Sequence, residues 1–211
     1  MRRQKLAMLI AVSAMLALAA PAAAGERQTV AVGWHPQSGN SGQVGDEATA
    51  TLVRRDGGVS FRFQTNSLNA GHAYTIWFVV INNPSACSAS PCSGPDIILN
   101  PATDSQVTFG AGNIAGRSGR ATFAGAFQAG AIDGWLSDRT LDDPLTAEIH
   151  LVLNDHGPAL AEYLPGMIHS YRSGCSNASP FPPIFPPTAL ADGEVGPNIC
   201  RLYQSAAFRT P

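Results

Sequence analysis

The stretch HAYTIWFVVIN, residues 72–82, decides the fold class. Alternation puts Tyr74, Ile76, Phe78 and Val80 on one side and Thr75, Trp77, Val79 and Ile81 on the other, so both sides are apolar. A run this short, rich in aromatic and β-branched residues, predicts a central strand covered on both faces. The segment AEIHLVLNDHG, residues 147–157, alternates more simply. Ile149, Leu151 and Leu153 share one face, and Glu148, His150, Val152 and Asn154 share the other. Asn154 to Gly157 then has the composition of a turn, which would leave His156 at a loop edge.

Outward from these two runs, period-two alternation recurs. GGVSFRFQTN places Phe61, Phe63 and Thr65 opposite Ser60, Arg62 and Gln64, as in a half-buried strand. TVAVGW near residue 30, ATATLVRR near 50, QVTFGAGNIAG near 110 and RATFAGAFQ near 123 are further strand candidates. Turn chemistry separates them at Asp56-Gly57-Gly58, Asn66 to Gly71, Asn82-Asn83-Pro84 and Ser118-Gly119. NIAGRSGRATF reads as a hairpin closed by Arg117-Ser118-Gly119. A short helix is expected between Pro158 and Leu164, and Asp133 to Asp143 reads as an irregular acidic connection. The class expected is all-β: an antiparallel β-sandwich, jelly-roll or immunoglobulin-like, its core centred on Tyr74 to Ile81 with Phe61, Phe63, Phe123, Ile149, Leu151 and Leu153 around it.

The chain has 211 residues. Its start has the layout of a secretory signal peptide: Arg2, Arg3 and Lys5, an apolar run from Leu6 to Ala20, then small residues ending at Ala24. The expected organisation is therefore a leader over 1–24 and one β-sandwich domain over 25–211. The exported protein would be periplasmic or extracellular. Without the leader, no apolar run is long enough to span a bilayer and no basic patch offers itself to nucleic acid.

Four cysteines fall in the part expected to be exported, which points to disulfides. Sequence alone allows three pairings. Cys87–Cys92 and Cys175–Cys200 are favoured because each brackets a stretch rich in Ser, Pro and Gly with little core of its own. The second bracket contains SPFPPIFPPT, whose prolines remove backbone donors, so residues 172–211 are expected to form a Pro-rich, disulfide-closed strap.

Several kinds of chemistry can be weighed on these residues. Glu148 with His150, joined by His72, His156 and His169, could hold copper or zinc, although no closely spaced histidine pair is present. The simpler expectation is a histidine satisfied by Glu148 or by backbone. Trp34 and Trp135 adjoin turns and are candidates for an exposed platform that stacks on carbohydrate, while Trp77 belongs to the central strand. A hydrolase would need a serine or paired carboxylates in a cleft beside a histidine; GNSG, residues 39–42, lacks the nucleophile-elbow pattern and reads as a polar loop. The acids Glu26, Glu148, Asp133, Asp138, Asp142 and Asp143 invite a glycosidase or calcium reading, but spacing along the chain does not set two carboxylates across a cleft, DGWLSDRTLDD lacks the calcium-loop pattern, and surface acids are the simpler expectation.

AGHAYTIWFVVINNPSAC, PCSGPD, DPLTAEIHLVLNDHGP and GMIHSYRSGC together resemble a group of exported bacterial proteins, from about residue 60 to Cys175. That resemblance implies a common disulfide-bearing β fold and brings no catalytic residue with it. A weaker likeness is to sandwich domains of the chordin type or the copper–zinc superoxide dismutase type, although the dismutase pattern of close histidine ligands is missing. The leading expectation is a non-catalytic binding or structural module without a cofactor, for a small-molecule, carbohydrate or protein ligand. The alternatives are a copper or zinc protein and a secreted hydrolase.

Overall fold

Thr49–Arg55 and Gly58–Thr65 are two alternating runs joined by Asp56 and Gly57, and in the computed structural model they pair in antiparallel register as β3 and β4. The structure describes residues 25–136 and 139–210; the expected leader and Asp138 lie outside them. Before β3 come β1 (Glu26–Ala31) and β2 (Gly33–Trp34). After β4 follow β5 (His72–Ile81), helix α1 (Gly94–Leu99), β6 (Ser105–Ile114), β7 (Ala121–Gln128), β8 (Gly130–Ala131) and β9 (Thr140–Leu141). β10 (Glu148–Pro158), the single turn of helix α2 (Pro187–Leu190) and β11 (Arg201–Phe208) complete the order.

The fold is the expected antiparallel β-sandwich. One sheet has four strands in the order β1-β3-β4-β7, and the other has five in the order β2-β11-β10-β5-β6. The core between them contains Tyr74, Ile76, Phe78 and Val80 of β5, Ile149, Leu151 and Leu153 of β10, and Phe61, Phe63 and Phe123 from the facing sheet. Phe78 stacks on Phe127 across the gap with ring centres 4.2 Å apart.

The second apolar side of β5 has its own cover. Trp77, Val79 and Ile81 pack under a second cluster that includes Ile97 of α1, Trp135, Tyr171 and Ala189. Both disulfides form as paired from the sequence, Cys87–Cys92 and Cys175–Cys200. The first closes the loop that leads into α1, and the second ties the Pro-rich segment to the start of β11. α1 starts with a reciprocal cap: Ser93 Oγ accepts from the Asp96 amide, and Asp96 accepts from the Ser93 amide. Asp96 also accepts from the amide of Ser88, which ties the disulfide loop to the helix.

Several expectations are corrected. NIAGRSGRATF is no hairpin: β6 pairs with β5 and β7 with β4, so the turn carries the chain from one sheet to the other. Gly119 does supply the positive φ expected of it, but a turn fixes a change of direction and not the strand that is met afterwards. The strap ends at Cys200, because RLYQSAAF is β11, paired along β10. Its alanines and Gln204 hid it, since the alternation of large apolar residues is weak there. Residues 159–164 contain turns and no helix, followed by a 3-10 turn at Gly166–Ile168. Asn154 to Gly157 continues β10, with a bulge after Leu153, and His156 is fully buried.

Arg54, near the end of β3, is fully buried, and no carboxylate among the described residues forms a salt bridge with it. It donates to the carbonyls of Pro144 at 2.9 Å and Ala147 at 2.7 Å, which fixes the approach to β10. Burial lowers the guanidinium's pKa from its ordinary value.

Candidate functional site

The outer face of the five-stranded sheet carries the residues of interest. Register places His150 of β10 between Val79 of β5 and Ala207 of β11, and Val152 between Trp77 and Ser205. Cross-strand neighbours on one face lie close enough to form a continuous floor. α1 and the Cys87–Cys92 loop form one wall over it, and Trp135, Tyr171 and Phe185 form the other. The space between is a cleft of about 430 Å³, within the range of small-molecule sites.

The aromatic wall is well braced. Trp135 packs against Trp77 and against Tyr171, with ring centres 4.6 Å apart in each case, and Phe185 lies 5.3 Å from Trp135. Trp135 is held from both sides, since its amide donates to Val107 O at 2.9 Å and its carbonyl accepts from Thr188 Oγ1 at 2.7 Å. Two polar atoms in this wall, Trp135 Nε1 and the Tyr171 hydroxyl, are buried without a hydrogen-bond partner. Burial raises the Tyr171 pKa far above its ordinary range, so the hydroxyl stays neutral.

His150 is a polar element of the floor. Its Nε2 donates to Glu148 Oε1 at 2.7 Å, and the same oxygen accepts from the Cys92 amide at 2.7 Å. Burial alone would raise the Glu148 pKa, but the hydrogen bonds from His150 and Cys92 outweigh it and hold the carboxyl below its ordinary value. An ionised carboxylate can only accept, so His150 Nε2 carries the hydrogen of this bond. Nδ1 is left without a partner among the described residues.

His156 is a pin, not part of the cleft. Its Nδ1 donates to Ser173 O at 3.0 Å, and its Nε2 accepts from Thr75 Oγ1 at 2.9 Å. Thr75 in turn accepts from Trp77 Nε1 at 3.1 Å. Asn154 Nδ2 donates to the Tyr171 carbonyl at 3.0 Å, so the Asn154–His156 pair fixes the segment that carries Tyr171. Burial lowers the His156 pKa to about 4, which keeps it neutral.

The histidines named from the sequence are not brought together. His150 and His156 lie six residues apart along one strand, roughly 20 Å, too far to share an ion. His72 donates from Nδ1 to Asp155 at 2.9 Å, in a group with the Tyr74 hydroxyl. His169 is exposed and stacks on Phe109 with ring centres 5.4 Å apart. Among the described residues, the grouping of possible metal ligands is His156 with Cys175 and Cys200, but both sulfurs are spent in the disulfide and offer no thiolate.

Trp34 and Trp135 form no common platform. Trp34 is half-buried on β2, edge-on to Tyr203 at 5.2 Å, while Trp135 is only 7% exposed in the cleft wall. His35, which the sequence reading passed over, lines the other end of the cleft; its Nδ1 accepts from the Gln37 amide, and burial lowers its pKa. Tyr171 and Phe185 were also passed over, and only their place in GMIHSYRSGC and SPFPPIFPPT, the segments flanking Cys175, could have drawn notice. Ser205 lines the cleft beside the His150 strand, but no hydrogen bond joins the two side chains.

No protein-family model, curated protein or solved structure matches the chain. Among the described residues, no helix is long and apolar enough to cross a membrane.

Proposed function

We propose that the protein is an exported binding module, periplasmic or extracellular and without catalysis of its own, whose cleft takes up a small, largely apolar molecule. The observation that carries this reading is the cleft of about 430 Å³ on the outer sheet face, walled by Trp77, Trp135, Tyr171, Phe185 and Ile97. Apolar walls exclude water and supply affinity in proportion to the area they cover, while a few polar groups orient the occupant. Here the polar group is His150, backed by Glu148. Two disulfides are compatible with an oxidising location.

The test is a titration of the oxidised protein with the neutral fluorescent probe 1-N-phenylnaphthylamine. Ala207 lies on the cleft floor, and Ala207→Trp fills it. Saturable binding at one site in the wild type, lost in Ala207→Trp while circular dichroism retains the β signal, supports the cleft as the site. Absence of saturable binding, or equal binding by both proteins, overturns it.

A further inference from the structure

We infer that the occupant of the cleft is a neutral molecule with an aromatic or aliphatic body and a hydroxyl group that donates to Nδ1 of His150. This deepens the reading above and rests on the cleft being a binding site.

Of the side chains that line the cleft, none is a lysine, arginine, aspartate or glutamate. An anionic ligand would find no fixed cation, and it would approach the Glu148 carboxylate through the imidazole that Glu148 holds at 2.7 Å. A cationic ligand would find no carboxylate in the wall itself, and the Trp77, Trp135 and Tyr171 rings pack on one another instead of forming an open cage. Desolvating an unpaired charge in such a place is costly, so a neutral ligand fits best.

His150 and Ser205 are the polar side chains of the floor, and His150 is the one held in a fixed orientation. Glu148 Oε1 accepts from two donors at once, His150 Nε2 and the Cys92 amide, and this fixes both the position and the tautomer of the ring. With Nε2 committed to Glu148, Nδ1 is the ring nitrogen left to accept, and a ligand hydroxyl satisfies it. Phenols and alcohols with an apolar body match this arrangement; ketones and ethers do not, because they bring no donor.

Three flat probes of similar size separate the outcomes: biphenyl, 4-phenylphenol and biphenyl-4-carboxylate, each titrated by calorimetry near neutral pH. The expected result is that 4-phenylphenol binds about 3- to 10-fold tighter than biphenyl, the factor one net hydrogen bond supplies. His150→Phe should abolish that difference and retain biphenyl. Ring 15N resonances of His150 in the wild type, which need no variant, should move at Nδ1 with 4-phenylphenol and stay in place with biphenyl. Equal affinities for biphenyl and the phenol, an unmoved Nδ1, or tightest binding of the carboxylate overturns the hydroxyl inference and leaves the cleft standing. If none of the three binds, the cleft reading falls with it.

Discussion

A neutral imidazole buried where β10 meets the Ser173 segment makes folding sensitive to acid. Burial lowers the His156 pKa from 6.5 to about 4. Above pH 6.5 neither state takes up the proton and the full contribution is present; as the pH falls towards 4 the unfolded chain protonates first, so stability is lost through that window. The ceiling on this loss is about 3 kcal/mol. Urea unfolding of wild type and His156→Gln, at about pH 7.5 and about pH 4.5, should show a clearly smaller acid loss in the variant. Equal losses would show that other groups set the acid response. The separated histidines predict a second result at this scale: zinc or copper(II) added to the oxidised protein at neutral pH leaves its melting temperature unchanged. An upward shift that His150→Ala removes would restore the metal reading of Glu148 and His150.

At the scale of elements, the two disulfides hold segments that have little core of their own. The Cys175–Cys200 bridge spans a sequence separation of 25, and chain-entropy reasoning gives it about 3.5 kcal/mol. The Cys87–Cys92 bridge spans only 5 and should contribute about 2 kcal/mol. Paired Cys→Ser variants in denaturant titrations should keep that order; the reverse order would show that native-state contacts, not loop closure, set their worth. The shorter bridge has the more direct bearing on the cleft, since the Cys92 amide is one of the two donors to Glu148. β6 illustrates another constraint on an element. A Cβ on Gly112 would lie 1.8 Å from the carbonyl oxygen of Ile168, so the 3-10 turn after β10 can dock on β6 only where no side chain intervenes.

The whole molecule is a sandwich with a second core on its back. β5 lies next to the edge strand of its sheet, yet nearly all of it is buried, because the facing sheet covers one side and α1 with the Pro-rich segment covers the other. The inter-sheet core carries the global stability. Phe63 is fully buried there against Phe123, and Phe63→Ala should cost about 3–5 kcal/mol. A loss within error in urea titrations would mean the site collapses around the cavity.

The apolar faces of the strands are legible in local alternation. In HAYTIWFVVIN and AEIHLVLN the alternation placed every side chain on the side where it is found, because residue period and strand pleat are local properties. The disulfide pairing was also legible, since each bridge closes over its own Pro- and Ser-rich segment. The pairing of Glu148 with His150 followed from their two-residue spacing on one face. Other features have no local signature. Which strand β6 and β7 each pair with, the inclusion of RLYQSAAF in the sheet, and the burial of His156 depend on partners distant in the chain. The cleft is of the same kind: Trp77, His150, Trp135, Tyr171, Phe185 and Ala207 share no local pattern, and only the closure of α1 and the strap over one sheet face makes them neighbours.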